Sequence, residues 1–129
     1  MKYNINKRNN KYNKRKVGQE REKQAAVFLE KNGYHIITFN YRNRIGEIDI
    51  IARDKESIVF VEVKYRSSAR YGWPEEAVDY KKQKNIIAVA NYFIMSNNLV
   101  DVPMRFDVVS ILNNKIEHIQ NAFGVWNNM

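Results

Sequence analysis

The sequence contains no cysteine. Disulfide frameworks, thiolate zinc sites and cysteine nucleophiles are therefore excluded as a basis for its structure or its chemistry. No run approaches the roughly 20 apolar residues that a membrane helix needs, and no apolar stretch follows the basic N-terminus to form a secretory signal. We therefore predict a cytoplasmic protein without a membrane partner.

Proline and glycine are also scarce, with 2 and 5 among the 129 residues. Hydrophobic residues make up 44% and aromatic residues 12% of the chain, which is enough apolar material to build a core. A chain of this length and composition is typical of one domain of ordinary size.

Positive charge is concentrated at the N-terminus of a chain whose net charge is +8. Residues 1–16 hold 7 of the 22 Lys and Arg and no acid, which leaves 15 basic against 14 acidic residues in the rest. Such an arm can neutralise nucleic-acid phosphates, and it can equally be a solvated, disordered terminus. We predict a disordered basic tail over residues 1–16 and a single domain over residues 17–126.

The hydrophobic pattern predicts two helical segments and five strands. Apolar residues at helical spacing mark the helices, and β-branched or aromatic runs between turn residues mark the strands. We predict helix over 17–32, strands over 34–41, 45–53 and 57–65, one helix or two helical pieces from Pro74 to about residue 97, and strands over 104–112 and 115–120. The α-β-β-β-α-β-β order indicates an α/β fold with a mixed central β-sheet flanked by helices.

The second predicted strand carries two acids. Side chains alternate between the faces of a strand, so we expect Ile48 and Ile50 to share one face and Glu47 and Asp49 to share the other. The third strand follows after a tight connection, and a hairpin of the two strands would place Asp49 near its neighbours. Glu47 is the more ambiguous of the two acids as a site residue.

The third predicted strand is rich in valine yet places Glu62 and Lys64 on one face. A carboxylate and an ammonium are each costly to bury alone, and two carboxylates close together repel unless a cation lies between them. Mg²⁺ or Mn²⁺ prefers such hard oxygen ligands. Asp49 and Glu62 are therefore candidate metal ligands, and Lys64 can orient a water or stabilise negative charge. The alternative is a solvent-facing ion pair of Glu62 and Lys64.

Other residues complete the candidate site. Glu20, on the first helix away from its apolar stripe, is either a further metal ligand or a solvated helix residue. We expect His35 and His118 to be structural without a specific partner, and Arg105 to pair with Asp107. Base stacking or local packing is expected for four aromatic residues: Tyr41, Tyr65, Tyr71 and Trp73. Phosphate contacts or a solvated face are expected for six basic residues: Arg42, Arg44, Arg66, Lys81, Lys82 and Lys84.

The motifs in the middle of the chain resemble those of the YraN-type family of small bacterial proteins. They are Gly46-Glu47-Ile48-Asp49-Ile50-Ile51-Ala52, Val59-Phe60-Val61-Glu62-Val63-Lys64-Tyr65-Arg66 and Arg105-Phe106-Asp107-Val108-Val109. That family is similar to the PD-(D/E)XK nuclease superfamily and to archaeal Holliday junction resolvases. The resemblance implies a restriction-endonuclease-like fold. It also makes Asp49 the motif's aspartate, Glu62-Val63-Lys64 its (D/E)XK and Glu20 its helical acid. Ile48 replaces the motif's proline.

The resemblance and the acids lead to three hypotheses. The first is a Mg²⁺- or Mn²⁺-dependent endonuclease that hydrolyses phosphodiester bonds of structured or branched DNA. The second is a non-catalytic nucleic-acid-binding protein that retains the nuclease fold. The third is a protein–protein adaptor whose tail binds an acidic partner. A homodimer is expected if the analogy with resolvases is close, because enzymes that cut two strands symmetrically act as dimers.

Overall fold

A five-stranded sheet between two helices forms the body of the protein. The computed structural model describes residues 2–66 and 79–124, with their side chains from Arg15 onward. The elements in chain order are α1 (Lys2–Lys31), β1 (His35–Arg42), β2 (Glu47–Asp54), β3 (Ser57–Arg66), α2 (Tyr80–Ser96), β4 (Met104–Leu112) and β5 (Lys115–Phe123). This order confirms the predicted succession. The predicted helix start at Pro74, Tyr71, Trp73 and residues 125 and 126 of the predicted domain lie outside the described residues.

The strands lie in the sheet in the order in which they occur in the chain. Neighbours are antiparallel except for β3 and β4, which are parallel. A parallel pair needs a crossover connection, and α2 lies between these two strands in the chain. The predicted mixed α/β sheet flanked by helices is therefore confirmed.

Each face of the sheet packs against one helix. On the α1 side the buried cluster contains Ala25, Ala26, Leu29, Ile50, Ala52, Val59, Val61, Val109 and Ile111. On the α2 side it contains Ile48, Ile51, Phe60, Ile86, Val89, Ala90, Phe93 and Val108. Each large side chain fully buried in this way stabilises the fold by about 1.5–3 kcal/mol relative to an exposed one. The two clusters fix both helices, and with them the side chains that the helices present beside the sheet.

Helix α1 begins much earlier than predicted. Its backbone is helical from Lys2, whereas we predicted disorder over residues 1–16 and a helix start at Val17. The segment contains neither proline nor glycine before Gly18, so it lacks the strong helix breakers. Its seven lysine and arginine residues favour a helix, and its five asparagines oppose it more weakly than proline or glycine would. The C-terminal end agrees with the prediction, since Gly33 follows the helix with a φ of 90°, a conformation that glycine adopts at little cost.

A polar network joins the ends of several elements on the α1 side. Arg105 Nε donates to Asp107 Oδ1 at 2.9 Å, which confirms the predicted pair. His118 Nε2 lies 2.7 Å from Asp107 Oδ2, so the expectation that this histidine lacks a specific partner was wrong. The backbone N–H of Asn121 also donates to Asp107. Burial opposes ionisation of this carboxyl group, but the hydrogen bonds from His118, Arg105 and Asn121 outweigh it and lower the pKa of Asp107.

Candidate functional site

Asp49 lies where β2 and β3 stop pairing. The ladder between the two strands ends at the pair Ile50–Val61. Beyond it, Asp49 Oδ2 accepts a hydrogen bond of 2.8 Å from the backbone N–H of Val63. The alternation of faces breaks at the same point, because Ile48 packs in the α2-side cluster and Ile50 in the α1-side cluster. The expectation that these two isoleucines share a face was therefore wrong, and the Asp49 carboxylate bridges the two diverging strands.

The acid next to Asp49 in the site is Glu62, which is buried, with only 5% of its surface exposed. Its Oε1 atom lies 3.5 Å from Lys64 Nζ, as its place on the same strand face predicted. The same oxygen lies 2.5 Å from Lys82 Nζ on α2. Because Glu62 is buried, its pairing with Lys64 is not the solvent-facing surface pair that the sequence left open.

Helix α2 aims Lys82 at this carboxylate. Asp79 caps the N-terminus of the helix, and its Oδ1 atom accepts a hydrogen bond of 2.8 Å from the backbone N–H of Lys82. The cap fixes the first helical turn. Lys82, which the sequence suggested as a phosphate contact, thus uses its ammonium group on Glu62 in this structure.

The like charges of the site oppose one another. Burial raises the pKa of Asp49 to about 7, with a further contribution from the Glu62 carboxylate. The hydrogen bond from Val63 partly offsets this rise, and Glu22 adds to it. A carboxylate that is this hard to ionise in an enclosed site is stabilised by any cation placed beside it.

The pKa values of Lys64 and Lys82 shift in opposite directions in the site. Burial lowers the pKa of Lys64, and the neighbouring Lys82 ammonium adds to the effect. Burial would also lower the pKa of Lys82, but its ion pair with Glu62 outweighs this and raises it. Lys82 is thus the more firmly charged partner of Glu62.

The helical acid near this site is Glu22 and not Glu20. Glu22 Oε2 accepts a hydrogen bond of 3.0 Å from Asn40 Nδ2 on β1. Burial raises the pKa of Glu22, the Asn40 hydrogen bond opposes this, and Glu47 and Glu62 add to it. Glu20, by contrast, is exposed to solvent. Glu47, which the sequence left ambiguous, thus lies near enough to influence Glu22, although its own side chain is exposed.

Helical spacing would have identified Glu22. Positions 22, 25, 26 and 29 recur on one face of a helix, and Ala25, Ala26 and Leu29 form the buried stripe of α1. An acid that continues this stripe by one turn must face the sheet, whereas Glu20 is rotated away from it. The sequence pattern therefore contained the signal, in the phase of the helix.

Two clefts meet at Asp49. One, of about 240 Å³, lies on the α2 side and is lined by Gly46, Glu47, Asp49, Glu62, Lys82 and Asn85 among others. The other, of about 290 Å³, lies on the α1 side between the helix and β3. Asp49 is thus accessible from both faces of the sheet. Within residues 2–66 and 79–124, no group of three or more His, Cys, Asp or Glu side chains is arranged to hold a metal ion.

The remaining predicted contact residues are placed in different ways. Arg42, Arg44, Lys81 and Lys84 are exposed, and Arg66 is half-buried. Lys84 Nζ lies 4.8 Å from the centre of the Tyr80 ring. Tyr41 packs edge-on against Phe93 in the α2-side core, with ring centres 5.2 Å apart, so local packing is its role here. His35 is exposed.

No helix in the described part of the chain is both long and apolar enough to cross a membrane.

Comparison with known proteins places the chain in a family. The sequence model of the uncharacterised protein family UPF0102 matches residues 21–111. This range includes Glu22, Asp49, Glu62, Lys64 and Lys82 and leaves out Glu20 and the basic N-terminal segment.

Curated relatives match over most of their own length. A UPF0102 protein of Clostridioides difficile is 49% identical over 113 residues, which cover 86% of this chain and 99% of the relative. One from Persephonella marina is 46% identical over 106 residues, covering 82% and 91%. One from Lachnoclostridium phytofermentans is 46% identical over 115 residues, covering 88% and 98%. These matches confirm the resemblance to the YraN-type family, and the chain belongs to the uncharacterised protein family UPF0102.

Proposed function

We propose that this protein is a Mg²⁺- or Mn²⁺-dependent endonuclease that hydrolyses phosphodiester bonds of structured or branched DNA. One observation carries the proposal: Asp49 and the buried Glu62 line the same cleft where β2 and β3 stop pairing, with Lys64 against Glu62. The branched character of the substrate rests on the resemblance to resolvases, and hydrolysis of a phosphodiester rests on the site.

The donor set fits a divalent cation. Asp49 and Glu62 offer hard carboxylate oxygens, and their burial makes their mutual repulsion costly. Mg²⁺ is usually bound through one or two carboxylates together with waters and substrate phosphates, so a third protein ligand is not required. When bound, such an ion stabilises charge on the phosphoryl oxygens and lowers the pKa of a bound water.

Lys82 already supplies one positive charge to the acid pair. Its ammonium group is held 2.5 Å from Glu62 and influences the ionisation of Asp49. A metal ion that binds to Glu62 would therefore have to displace this ammonium group.

Lys64 is the residue that we assign to the reacting phosphate. It is half-buried and is oriented by its 3.5 Å contact with Glu62. An ammonium group fixed at the edge of the acid pair can donate hydrogen bonds to a phosphoryl oxygen as negative charge develops there. It can also orient the attacking water. Both roles need the position of the ammonium group rather than its charge alone.

One observation favours a non-catalytic nucleic-acid-binding protein as the second candidate. Both lysines contact Oε1 of Glu62, so this carboxylate is compensated without any metal ion. A protein of this kind would bind DNA or RNA in a salt-sensitive manner, would ignore Mg²⁺, and would keep its binding after loss of Glu62.

A cleavage assay separates the two candidates. Labelled four-way junction, flap, single-stranded and duplex DNA are incubated with the protein and Mg²⁺ or Mn²⁺, beside the Lys64→Ala variant. Lys115→Ala is the matched control, since Lys115 is an exposed lysine at the start of β5. The endonuclease proposal predicts cleavage that requires the metal, is lost in Lys64→Ala and persists in Lys115→Ala. Absence of cleavage with every substrate and both metals would overturn it.

A further inference from the structure

An arginine and a tyrosine stack on each other at the rim of the α1-side cleft. The guanidinium carbon of Arg21 lies 4.0 Å from the centre of the Tyr65 ring. Tyr65 follows Lys64 on β3, so it points to the opposite face of the sheet from that lysine and lies beside Val63 in the cleft. A guanidinium group over an aromatic face is held in place while the edge of its plane remains able to donate hydrogen bonds.

Arg21 has unused hydrogen-bonding capacity. Its Nη1 atom donates to Gln24 Oε1 at 3.2 Å. Its Nε atom is buried and has no hydrogen-bond partner, the one such side-chain atom in the described part of the chain. Among those residues, no carboxylate lies within ion-pair distance of Arg21. Because Nε itself is enclosed, a ligand in the cleft would meet the terminal nitrogens of the guanidinium group. A cation without a carboxylate partner can bind an anionic oxygen there.

The cleft beside Arg21 leads directly to Asp49. It measures about 290 Å³ and is lined by Gly18, Arg21, Glu22, Asp49, Val63 and Tyr65 among others. A Cβ atom added to Gly18 would meet nothing within 4 Å, so this position borders open space. The cleft is smaller than most small-molecule pockets, which suits a segment of a polymer backbone.

We propose that this cleft is a phosphate subsite, in which Arg21 binds a nucleic-acid phosphate next to the one held at Asp49 and Tyr65 positions Arg21. The identity of the ligand rests on the proposed function. Asp49 and Glu22 repel a phosphate that enters this side, so a compensating cation must lie there. Lys64 and Lys82 contact Glu62 on the α2 side, and Arg21 is the positively charged residue among those that line the α1-side cleft.

Base stacking on Tyr65 is a weaker account of the same residues. The ring is 43% exposed, but the Arg21 guanidinium covers one of its faces. The unpaired group in the cleft is a cationic donor, whose natural partner is an anionic oxygen. Tyr65, for which the sequence left base stacking or local packing open, is therefore assigned to positioning Arg21.

Binding measurements test the subsite independently of cleavage. Fluorescein-labelled single-stranded and four-way-junction DNA are titrated in EDTA, where metal-dependent hydrolysis cannot occur, at several salt concentrations. The variants are Arg21→Gln and, as a matched control, Lys23→Gln, which removes the same charge from an exposed position of α1. Tyr65→Phe keeps the ring and Tyr65→Leu removes it. Circular dichroism checks that each variant is folded.

The proposal predicts a specific pattern. Arg21→Gln weakens binding by about tenfold and reduces the steepness of the salt dependence by about 0.9, the value for one lost phosphate contact with duplex DNA, or about 0.7 with a single strand. Tyr65→Leu weakens binding in the same direction, and Tyr65→Phe and Lys23→Gln bind like the parent protein. Equal binding by Arg21→Gln and Lys23→Gln, or loss of binding in Tyr65→Leu with an unchanged Arg21→Gln, would overturn the subsite. If either of these two binding results were found together with metal-dependent cleavage, the endonuclease proposal would stand and only the subsite would be refuted. If the predicted binding pattern were found without any cleavage, only the endonuclease proposal would be refuted.

Discussion

Lys82 Nζ on α2 and Glu62 Oε1 on β3 lie 2.5 Å apart, in contact across the α2-side cleft. The pair brings a helix that follows β3 in the chain back onto that strand. It also places an internal cation on a carboxylate that, with Asp49, is the candidate ligand set for a divalent metal.

Removal of this cation should tighten metal binding. In Lys82→Gln the metal ion no longer displaces an ammonium group from Glu62, and the cost of breaking a charge-assisted hydrogen bond disappears. We expect Mn²⁺ affinity, measured by isothermal titration calorimetry, to rise by about tenfold. Lys81→Gln is the matched control, because Lys81 is an exposed neighbour on the same helix. Weaker binding by Lys82→Gln than by Lys81→Gln would contradict the competition.

Two acids of α1 should behave differently on neutralisation. Glu22→Gln removes a negative charge that acts on Asp49 and should weaken Mn²⁺ binding on the order of 1 kcal/mol, or roughly fivefold. Glu20→Gln removes an exposed charge and should leave the affinity unchanged. The same titration compares both variants with the parent protein. The reverse order of effects would restore Glu20 as the helical acid.

The network around Asp107 should make a pH-dependent contribution to stability. Asp107→Asn leaves Arg105 without its main partner and should lower the free energy of unfolding by about 3 kcal/mol near neutral pH. The pKa of Asp107 is lowered in the folded state. The contribution of ionised Asp107 to stability is therefore present above pH 3.8, the pKa of the carboxyl in the unfolded chain. It is lost as the pH falls through the lower pKa of the folded state.

Urea denaturation at a series of pH values measures this contribution. The difference in the free energy of unfolding between the parent protein and Asp107→Asn should shrink in the acid range, as the pH falls below about 3.8, the usual pKa of an aspartic carboxyl group. A difference that stays constant down to the lowest pH at which the protein folds would show that ionisation of Asp107 does not stabilise the fold.

The Asp79 cap of α2 should contribute to the stability of the fold. Asp79→Ala removes the acceptor for the backbone N–H of Lys82 and should cost about 1 kcal/mol in thermal or urea unfolding. Asp79→Asn keeps a capping side chain and should retain most of that stability. If both variants unfold like the parent protein, the cap does not hold the first turn of α2.

The sequence predicted most of the helices and strands, because these elements depend on patterns among residues that are close together in the chain. The valine-rich β3 strand placed Glu62 and Lys64 on one face by simple alternation, and the structure keeps that arrangement. Alternation failed at Asp49, because the divergence of β2 from β3 depends on pairing between two strands rather than on either one alone.

Contacts between distant segments were the part that the sequence could not predict. The Lys82–Glu62 pair depends on how α2 crosses the sheet. The His118–Asp107 contact depends on the register of β4 and β5, which shifts between Phe106 and Val108. Glu22 is an intermediate case, since its helical phase was present in the sequence and only the facing sheet gave that phase a meaning.

Titration of Mn²⁺ into the parent protein and Asp49→Asn tests the proposed metal site of Asp49 and Glu62 most directly. Asp101→Asn is the matched control, because Asp101 is an exposed aspartate. We predict that the parent protein and Asp101→Asn bind Mn²⁺ alike and that Asp49→Asn binds at least roughly tenfold more weakly, a loss that even an outer-sphere partner of a metal produces. Equal binding by Asp49→Asn and the parent protein would contradict the account.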